Sequence, residues 1–217
     1  MPGLDDTQFA TNPDPRAPLV LLLDTSGSMS GNAIRQLNAG LRALQADLVQ
    51  DELASRRVEL AIITFGANDV AIEQDFVEAR TWQPPELISG GSTPMGNAIA
   101  TGLDLLAKRK REYQHSGIQY YRPWVFLITD GAPTDDWQIA AKRVHDETNR
   151  QALAFFAVGV EGADLDTLGK VSPRTPVLLK GLSFRELFLW LSASQRRVSA
   201  SQVGDQVELP PVDWATV

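Results

Sequence analysis

Cysteine is absent from the 217-residue sequence. Disulfide bonds, thiolate metal sites and catalysis by a thiol are therefore excluded. A chain without cysteine is compatible with a reducing compartment, and we expect a cytoplasmic protein.

Near its start the sequence lacks both a secretory signal and a membrane-spanning segment. The first residues, MPGLDDTQFATNPDP, contain no basic stretch followed by an apolar one. The longest apolar run nearby, residues 19–23, is far shorter than the roughly 20 residues that a membrane helix requires. We expect a soluble protein with no membrane partner.

Positive charge is in the minority. The chain has 20 Lys and Arg against 27 Asp and Glu, a net charge of −7. Such a chain has no broad electrostatic attraction to nucleic-acid phosphates, so we expect no nucleic-acid partner. Hydrophobic residues make up 43% of the sequence, which is enough for the core of one folded domain.

Short apolar runs without alternation predict strands that are buried on both faces. These runs are residues 18–24, 58–65, 124–130 and 152–160, with a shorter one at 176–179. Residues 69–76 alternate more strongly and predict an edge strand. Apolar residues at the three- and four-residue spacing of a helix lie between the runs. The predicted helices cover residues 34–48, 94–111, 136–150 and 183–197, the last capped by Ser183.

Strands that alternate with helices predict an α/β fold. We expect a Rossmann-like, doubly wound, mostly parallel sheet with helices on both faces and one antiparallel edge strand. Residues 1–17 are interpreted as an N-terminal arm and residues 18–198 as the domain. We expect the tail, residues 199–217, to pack on the domain as a strap, because Leu209, Val212 and Trp214 are apolar.

Three polar clusters follow predicted strands or precede a predicted helix. They are the segments DTSGS from Asp24, GGST ending at Thr93, and TDG around Asp130. In open α/β sheets, ligands bind at the carboxyl ends of the strands. Carboxylate and hydroxyl oxygens suit a hard cation, so the clusters predict one divalent ion, Mg²⁺ first, with Mn²⁺ or Ca²⁺ as alternatives.

The segment DTSGSMS resembles the DxSxS motif of the metal-ion-dependent adhesion site (MIDAS) in von Willebrand factor type A (vWA) domains. The threonine of GGSTPMG and the aspartate of LITDG match the other two elements of that motif. The resemblance covers residues 18–197 and implies metal-dependent protein–protein binding, in which an acidic residue of the partner completes the coordination. The implied metal residues are Asp24, Ser26, Ser28, Thr93 and Asp130. The implied partner-binding rim is Met29, Ser30, Gly91, Ser92, Pro94, Gly131 and Pro133.

A narrower resemblance is carried by VFLITDGAPTDDW and SGGSTPMGNAI, which look like the TerY-like vWA proteins of bacterial tellurium-resistance and stress-response gene sets. That resemblance implies an adaptor that works with a protein kinase and a PP2C-type phosphatase. Gly31 and Asn32 follow the DxSxS segment and supply no acidic pair for a second ion, so one metal is expected.

Other interpretations compete with these. Thr93 could cap the helix that begins at Pro94, and Asp135 or Asp136 could cap the next helix. A Mg²⁺-dependent phosphohydrolase of the haloacid-dehalogenase type would need a second aspartate at the position of Ser26. Neither a Walker A motif nor a G-x-S-x-G elbow is present, and we expect no enzymatic activity. The metal could also be purely structural.

Overall fold

The computed structural model describes Phe9 and residues 12–216. Its centre is a seven-stranded sheet. The strands are β1 (Ala17–Thr25), β2 (Val58–Gly66), β3 (Asp69–Glu78), β4 (Trp124–Thr129), β5 (Ala154–Gly159), β6 (Val177–Leu179) and β7 (Ala215–Thr216). The helices are α1 (Asn32–Leu48), α2 (Glu52–Arg57), α3 (Met95–His115), α4 (Gln138–Asn149), α5 (Leu165–Val171) and α6 (Phe184–Ala200).

The strand order is β3-β2-β1-β4-β5-β6-β7, and β1, β2, β4, β5 and β6 are parallel. β3 pairs antiparallel with β2 at one edge, which confirms the predicted fold class and edge strand. At the other edge, β6 pairs antiparallel with β7. The two-residue strand β7 was not predicted from the sequence pattern. Because β1 lies between β2 and β4, the carboxyl ends of these three strands meet at one edge of the sheet.

Alternate residues of β1 point to opposite faces of the sheet, and each face is covered by helices. Leu19, Leu21 and Leu23 pack with apolar residues of α1 and α6. Val20 and Leu22 pack with those of α3, α4 and α5. Every residue of β1 is buried, which explains the uninterrupted apolar run. Each buried leucine contributes about 2 kcal/mol of transfer free energy.

The helices α2 and α5 were not predicted, because six or seven residues give too short a window for the helical period to appear. Their first turns are marked instead by aspartate caps. Asp51 accepts a hydrogen bond from the Ala54 backbone N–H, and Asp164 accepts one from that of Thr167. The predicted cap of α6 is wrong in detail, because Ser183 makes no side-chain capping bond.

The amino-terminal edge of the sheet carries a buried charge network. Glu59 accepts hydrogen bonds from Arg16 Nε and Arg109 Nε, each at 2.9 Å, and from the Tyr113 hydroxyl. Arg109 belongs to the basic run of residues 108–111 in α3, where exposed side chains would be usual, but only 4% of it is exposed. Of the predicted arm, residues 1–8, 10 and 11 lie outside the described part of the chain, whereas Phe9 and Arg16 are buried.

The carboxyl-terminal tail lies along the domain. Trp214 is buried and packs against Trp190, with 5.5 Å between the ring centroids and 60° between the ring planes. The Trp190 indole N–H donates to the Pro210 carbonyl at 2.9 Å. The backbone of β7 then pairs with β6. Within the described residues, no helix is both long and apolar enough to cross a membrane.

Candidate metal centre

Asp24 is the buried carboxylate at the bottom of the site. It lies near the carboxyl end of β1, and one carboxylate oxygen accepts the Ser26 backbone N–H at 2.8 Å. The other oxygen accepts the Thr129 hydroxyl from the neighbouring strand β4 at 2.5 Å. The pKa of Asp24 is raised, chiefly by burial and also by the nearby charge of Asp130. The hydrogen bonds from Ser26 and Thr129 oppose this shift. The carboxylate is therefore fixed in position by two adjacent strands.

Two serine hydroxyls lie between this carboxylate and the surface. The Ser26 and Ser28 Oγ atoms are 3.0 Å apart, and the Ser28 hydroxyl donates to Asp130 Oδ1 at 2.6 Å. Residues Gly27–Met29 form a turn of 3-10 helix, so the two serines converge through a tight turn. Ser26 is buried and Ser28 is exposed, so the pair leads from the sheet to the surface.

Thr93 approaches from a third segment. A side-chain carbon placed on Gly131 would lie 3.6 Å from Thr93 Oγ1 and 3.9 Å from Ser28 Oγ, so both hydroxyls border the same small space. The Thr93 backbone is tied to Thr134 in both directions, at 3.0 and 2.9 Å. Among the described residues, no hydrogen bond engages the Thr93 hydroxyl. All five predicted metal residues therefore lie at one edge of the sheet.

The loop that carries Thr93 is held against the end of β1 by its backbone. The Gly90 N–H donates to the Thr25 carbonyl at 2.8 Å, and the Gly27 N–H donates to the Gly91 carbonyl at 3.2 Å. Gly91 has φ +74°, and a Cβ there would lie 2.3 Å from the Gly66 carbonyl oxygen. Glycine is required at this position both by its backbone conformation and by this close approach.

The expected helix-capping role of Thr93 is wrong. The helix α3 begins at Met95, and its first turn is capped by Asp135. The Asp135 carboxylate accepts the backbone N–H groups of Gly96 and Asn97 at 2.9 and 2.8 Å. Asp135 therefore does cap a helix, but it caps the preceding helix and not the following one. The Thr93 hydroxyl is left without a capping partner.

The predicted rim is partly at the surface. Ser30, Gly91 and Ser92 are exposed, and Gly131 and Pro133 are half-buried. The prediction that Met29 belongs to the partner-binding rim is wrong, because Met29 is fully buried in the core and its side chain cannot reach a partner. Pro94 is also buried.

Two supporting residues were missed as site residues. Thr129 holds Asp24, and Thr134 holds the Thr93 backbone. Thr129 could have been found from register, because β1 and β4 pair in parallel up to Leu23 and Ile128, which makes Asp24 and Thr129 the next neighbours. Thr134 carries no comparable signal, because its contact depends on the path of two loops.

The donor set fits a hard divalent cation. It consists of three hydroxyls and two carboxylates, all oxygen ligands of the kind that Mg²⁺ prefers. No cluster of three or more His, Cys, Asp or Glu side chains that could hold a metal occurs in the described part of the chain. Ligation at this edge would therefore depend on the hydroxyls, with the Thr93 hydroxyl uncommitted.

The sequence profile of the von Willebrand factor type A domain matches residues 19–176, most of the chain. The chain belongs to the vWA domain family. Domains of this family typically act as protein-interaction modules. A search of curated protein sequences gives no match.

Solved structures show the same vWA fold. The pilus adhesin SpaC from Lactobacillus rhamnosus GG, in its open conformation, is similar with a TM-score of 0.69 and 14% identity over 84% of this chain and 30% of SpaC. Proximal thread matrix protein 1 from the mussel byssus has a TM-score of 0.57 and 15% identity, over 84% and 48% of the two chains. The SpRpn10 VWA domain has a TM-score of 0.52 and 14% identity, over 76% and 86%. The chain thus spans less than half the length of the first two structures.

Proposed function

We propose that this vWA domain is a metal-dependent protein–protein interaction module. One Mg²⁺ ion would be held by the hydroxyls of Ser26, Ser28 and Thr93, with Asp24 and Asp130 acting directly or through water. The observation that carries the proposal is the convergence of these hydroxyls and of Asp130 above the buried carboxylate of Asp24.

The charge balance of the site favours a partner that brings an acidic residue. Serine and threonine hydroxyls are neutral ligands, so they leave a divalent ion with net positive character. The ion can then accept a carboxylate from another molecule. The exposed rim residues Ser30, Gly91 and Ser92 leave room for that approach.

We propose a cellular setting from the narrower resemblance to TerY-like proteins. In it the protein is a cytoplasmic adaptor in a bacterial tellurium-resistance or stress-response system, working with a protein kinase and a PP2C-type phosphatase. The supporting observation is the pair of sequence strings around Thr93 and Asp130. Genes for a kinase and such a phosphatase beside the gene for this chain would support the setting, and their absence would count against it.

We propose no catalytic role for the site. In the phosphohydrolase alternative Asp24 would be the nucleophile, yet the residue is fully buried and both its oxygens accept hydrogen bonds. Ser26 stands where the general acid–base aspartate would be needed. Turnover of phosphoesters with Mg²⁺ that disappears in Asp24→Asn would overturn this part of the proposal.

The experiment compares binding of the kinase and the phosphatase to wild type, Asp24→Ala and Asp75→Ala, with Mg²⁺ or with EDTA. Asp75 is an exposed aspartate on β3 and serves as the matched control. We expect wild type and Asp75→Ala to retain a partner with Mg²⁺ and to release it with EDTA. Asp24→Ala should fail in both conditions.

The same experiment distinguishes a metal that binds the partner from a metal that only stabilises the fold. If EDTA lowers the melting temperature but leaves partner binding unchanged, the metal is structural and the docking proposal is wrong. Circular dichroism of each variant establishes that a loss of binding is not a loss of fold.

A further inference from the structure

A large cleft lies at the opposite end of the sheet from the metal centre. It has a volume of about 890 Å³ and separates the carboxyl-terminal tail from the amino-terminal ends of β4 and β5. Cationic and apolar side chains line it together, including Lys110, Arg122, Trp124, Phe156, Arg174 and Leu209. Neither the metal centre nor the proposed partner rim reaches this region.

Arg122 and Arg174 are exposed, and each makes a contact that leaves its charge unneutralised. Arg122 donates through Nε to the Leu153 carbonyl at 2.8 Å and through Nη2 to that of Thr148 at 3.2 Å. The guanidinium of Arg174 lies over the Phe156 ring, 5.1 Å from its centroid. Burial, and the nearby charge of Arg174, lower the pKa of Arg122.

No carboxylate of the described residues lies within ion-pair distance of Arg122, Arg174 or Lys110. Asp205 is the one acidic side chain that lines the cleft in the described part of the chain, and it accepts the Gln202 backbone N–H at 2.9 Å. Two guanidinium groups that line one cleft without a carboxylate partner form a charge arrangement that an anion would complete.

An apolar chamber of about 270 Å³ adjoins the cleft and shares Phe156, Arg174 and Leu209 with it. Its other walls include Trp190 and Trp214. The indole Nε1 of Trp214 is buried and has no acceptor among the described residues. The aromatic walls of the chamber suit a flat apolar group.

We propose that the cleft binds a small anion with an aromatic body. Its phosphate or carboxylate group lies between Arg122 and Arg174, and its apolar body enters the chamber beside Trp190 and Trp214. The guanidinium fork matches either anionic group, and the volume of the cleft is in the range of small-molecule sites.

Isothermal titration calorimetry with phenyl phosphate, benzoate, inorganic phosphate and benzyl alcohol tests the proposal. We expect wild type to bind phenyl phosphate or benzoate more tightly than inorganic phosphate, and to bind benzyl alcohol least. Which of the two aromatic anions binds more tightly identifies the anionic group. In Arg122→Gln/Arg174→Gln the affinity should fall by about tenfold or more, because both charge-assisted contacts are lost.

The matched control is Arg185→Gln. Arg185 is an exposed arginine on α6 that lines neither the cleft nor the chamber, and its substitution should leave the affinity unchanged. The proposal is overturned if neither aromatic anion binds at about 5 mM, a concentration at which millimolar affinity is detectable. It is also overturned if the double variant, folded by circular dichroism, binds like wild type. Equal affinity for inorganic phosphate and phenyl phosphate would refute the role of the apolar chamber.

Discussion

The two ends of the central strands both gather charged side chains, but they satisfy them differently. At the amino-terminal end, Glu59 accepts hydrogen bonds from Arg16, Arg109 and Tyr113, and all four residues are buried. At the carboxyl-terminal end, Asp24 is equally buried, yet it supports hydroxyls that reach the surface. A saturated network serves stability, whereas a network with uncommitted oxygens can bind a ligand.

The largest effect is expected when the buried charge network at the amino-terminal end is disrupted. Glu59→Ala leaves Arg16 and Arg109 buried without their shared carboxylate, which should lower the free energy of unfolding by about 3–5 kcal/mol. Urea denaturation measures the loss. The control is Glu86→Ala, which removes an exposed ion pair with Arg42 and should cost less than about 1 kcal/mol. Equal losses in the two variants would contradict the distinction between the ends.

The next effect concerns the proposed metal centre at the carboxyl-terminal end. Asp24→Asn should weaken Mg²⁺ or Mn²⁺ binding by about 10–100-fold, because the carboxylate orients the residues around the ion. Its effect on the free energy of unfolding without metal should be much smaller than that of Glu59→Ala. Calorimetric titration of the ion and urea denaturation of the same samples give both quantities. Asp75→Asn is the control and should bind the metal like wild type.

A smaller effect distinguishes the metal residues from a neighbouring helix cap at the carboxyl-terminal end. Asp135 lies near Thr93 but caps α3, so Asp135→Ala should cost about 1 kcal/mol of stability and leave metal affinity unchanged. Thermal unfolding and metal titration test the two halves of this statement. The control is Asp136→Ala, which removes an exposed carboxylate that accepts the Gln138 backbone N–H at 3.2 Å; it should cost less stability and also leave metal affinity unchanged. A loss of metal affinity in Asp135→Ala would place Asp135 in the metal centre.

The strands and the order of the site residues could be predicted from the sequence because both depend on short-range signals. β1 is buried on both faces and therefore reads as one apolar run, and the polar residues that follow it meet those of β4 at the same edge. The parallel register then places Asp24 beside Thr129, the residue before Asp130.

Other features depend on partners that are distant in sequence. Arg109 lies in a basic run that would be solvated on an isolated helix, and its burial is favoured by Glu59, which is 50 residues away, together with Glu112. Thr93 precedes the helix and could cap it, but the Gly96 backbone N–H donates instead to Asp135, which is 39 residues further along the chain. Met29 follows Ser28 directly, and the 3-10 turn directs it into the core.

The count of bound metal ions tests the central claim most directly. Titration of the protein with Mn²⁺, followed by the electron paramagnetic resonance signal of the free ion, gives the number of sites and their affinity. The account predicts one ion per chain in wild type and weak or no binding in Ser26→Ala/Ser28→Ala, with the fold retained. Absence of Mn²⁺ uptake by wild type, or unchanged uptake by the double variant, would contradict it.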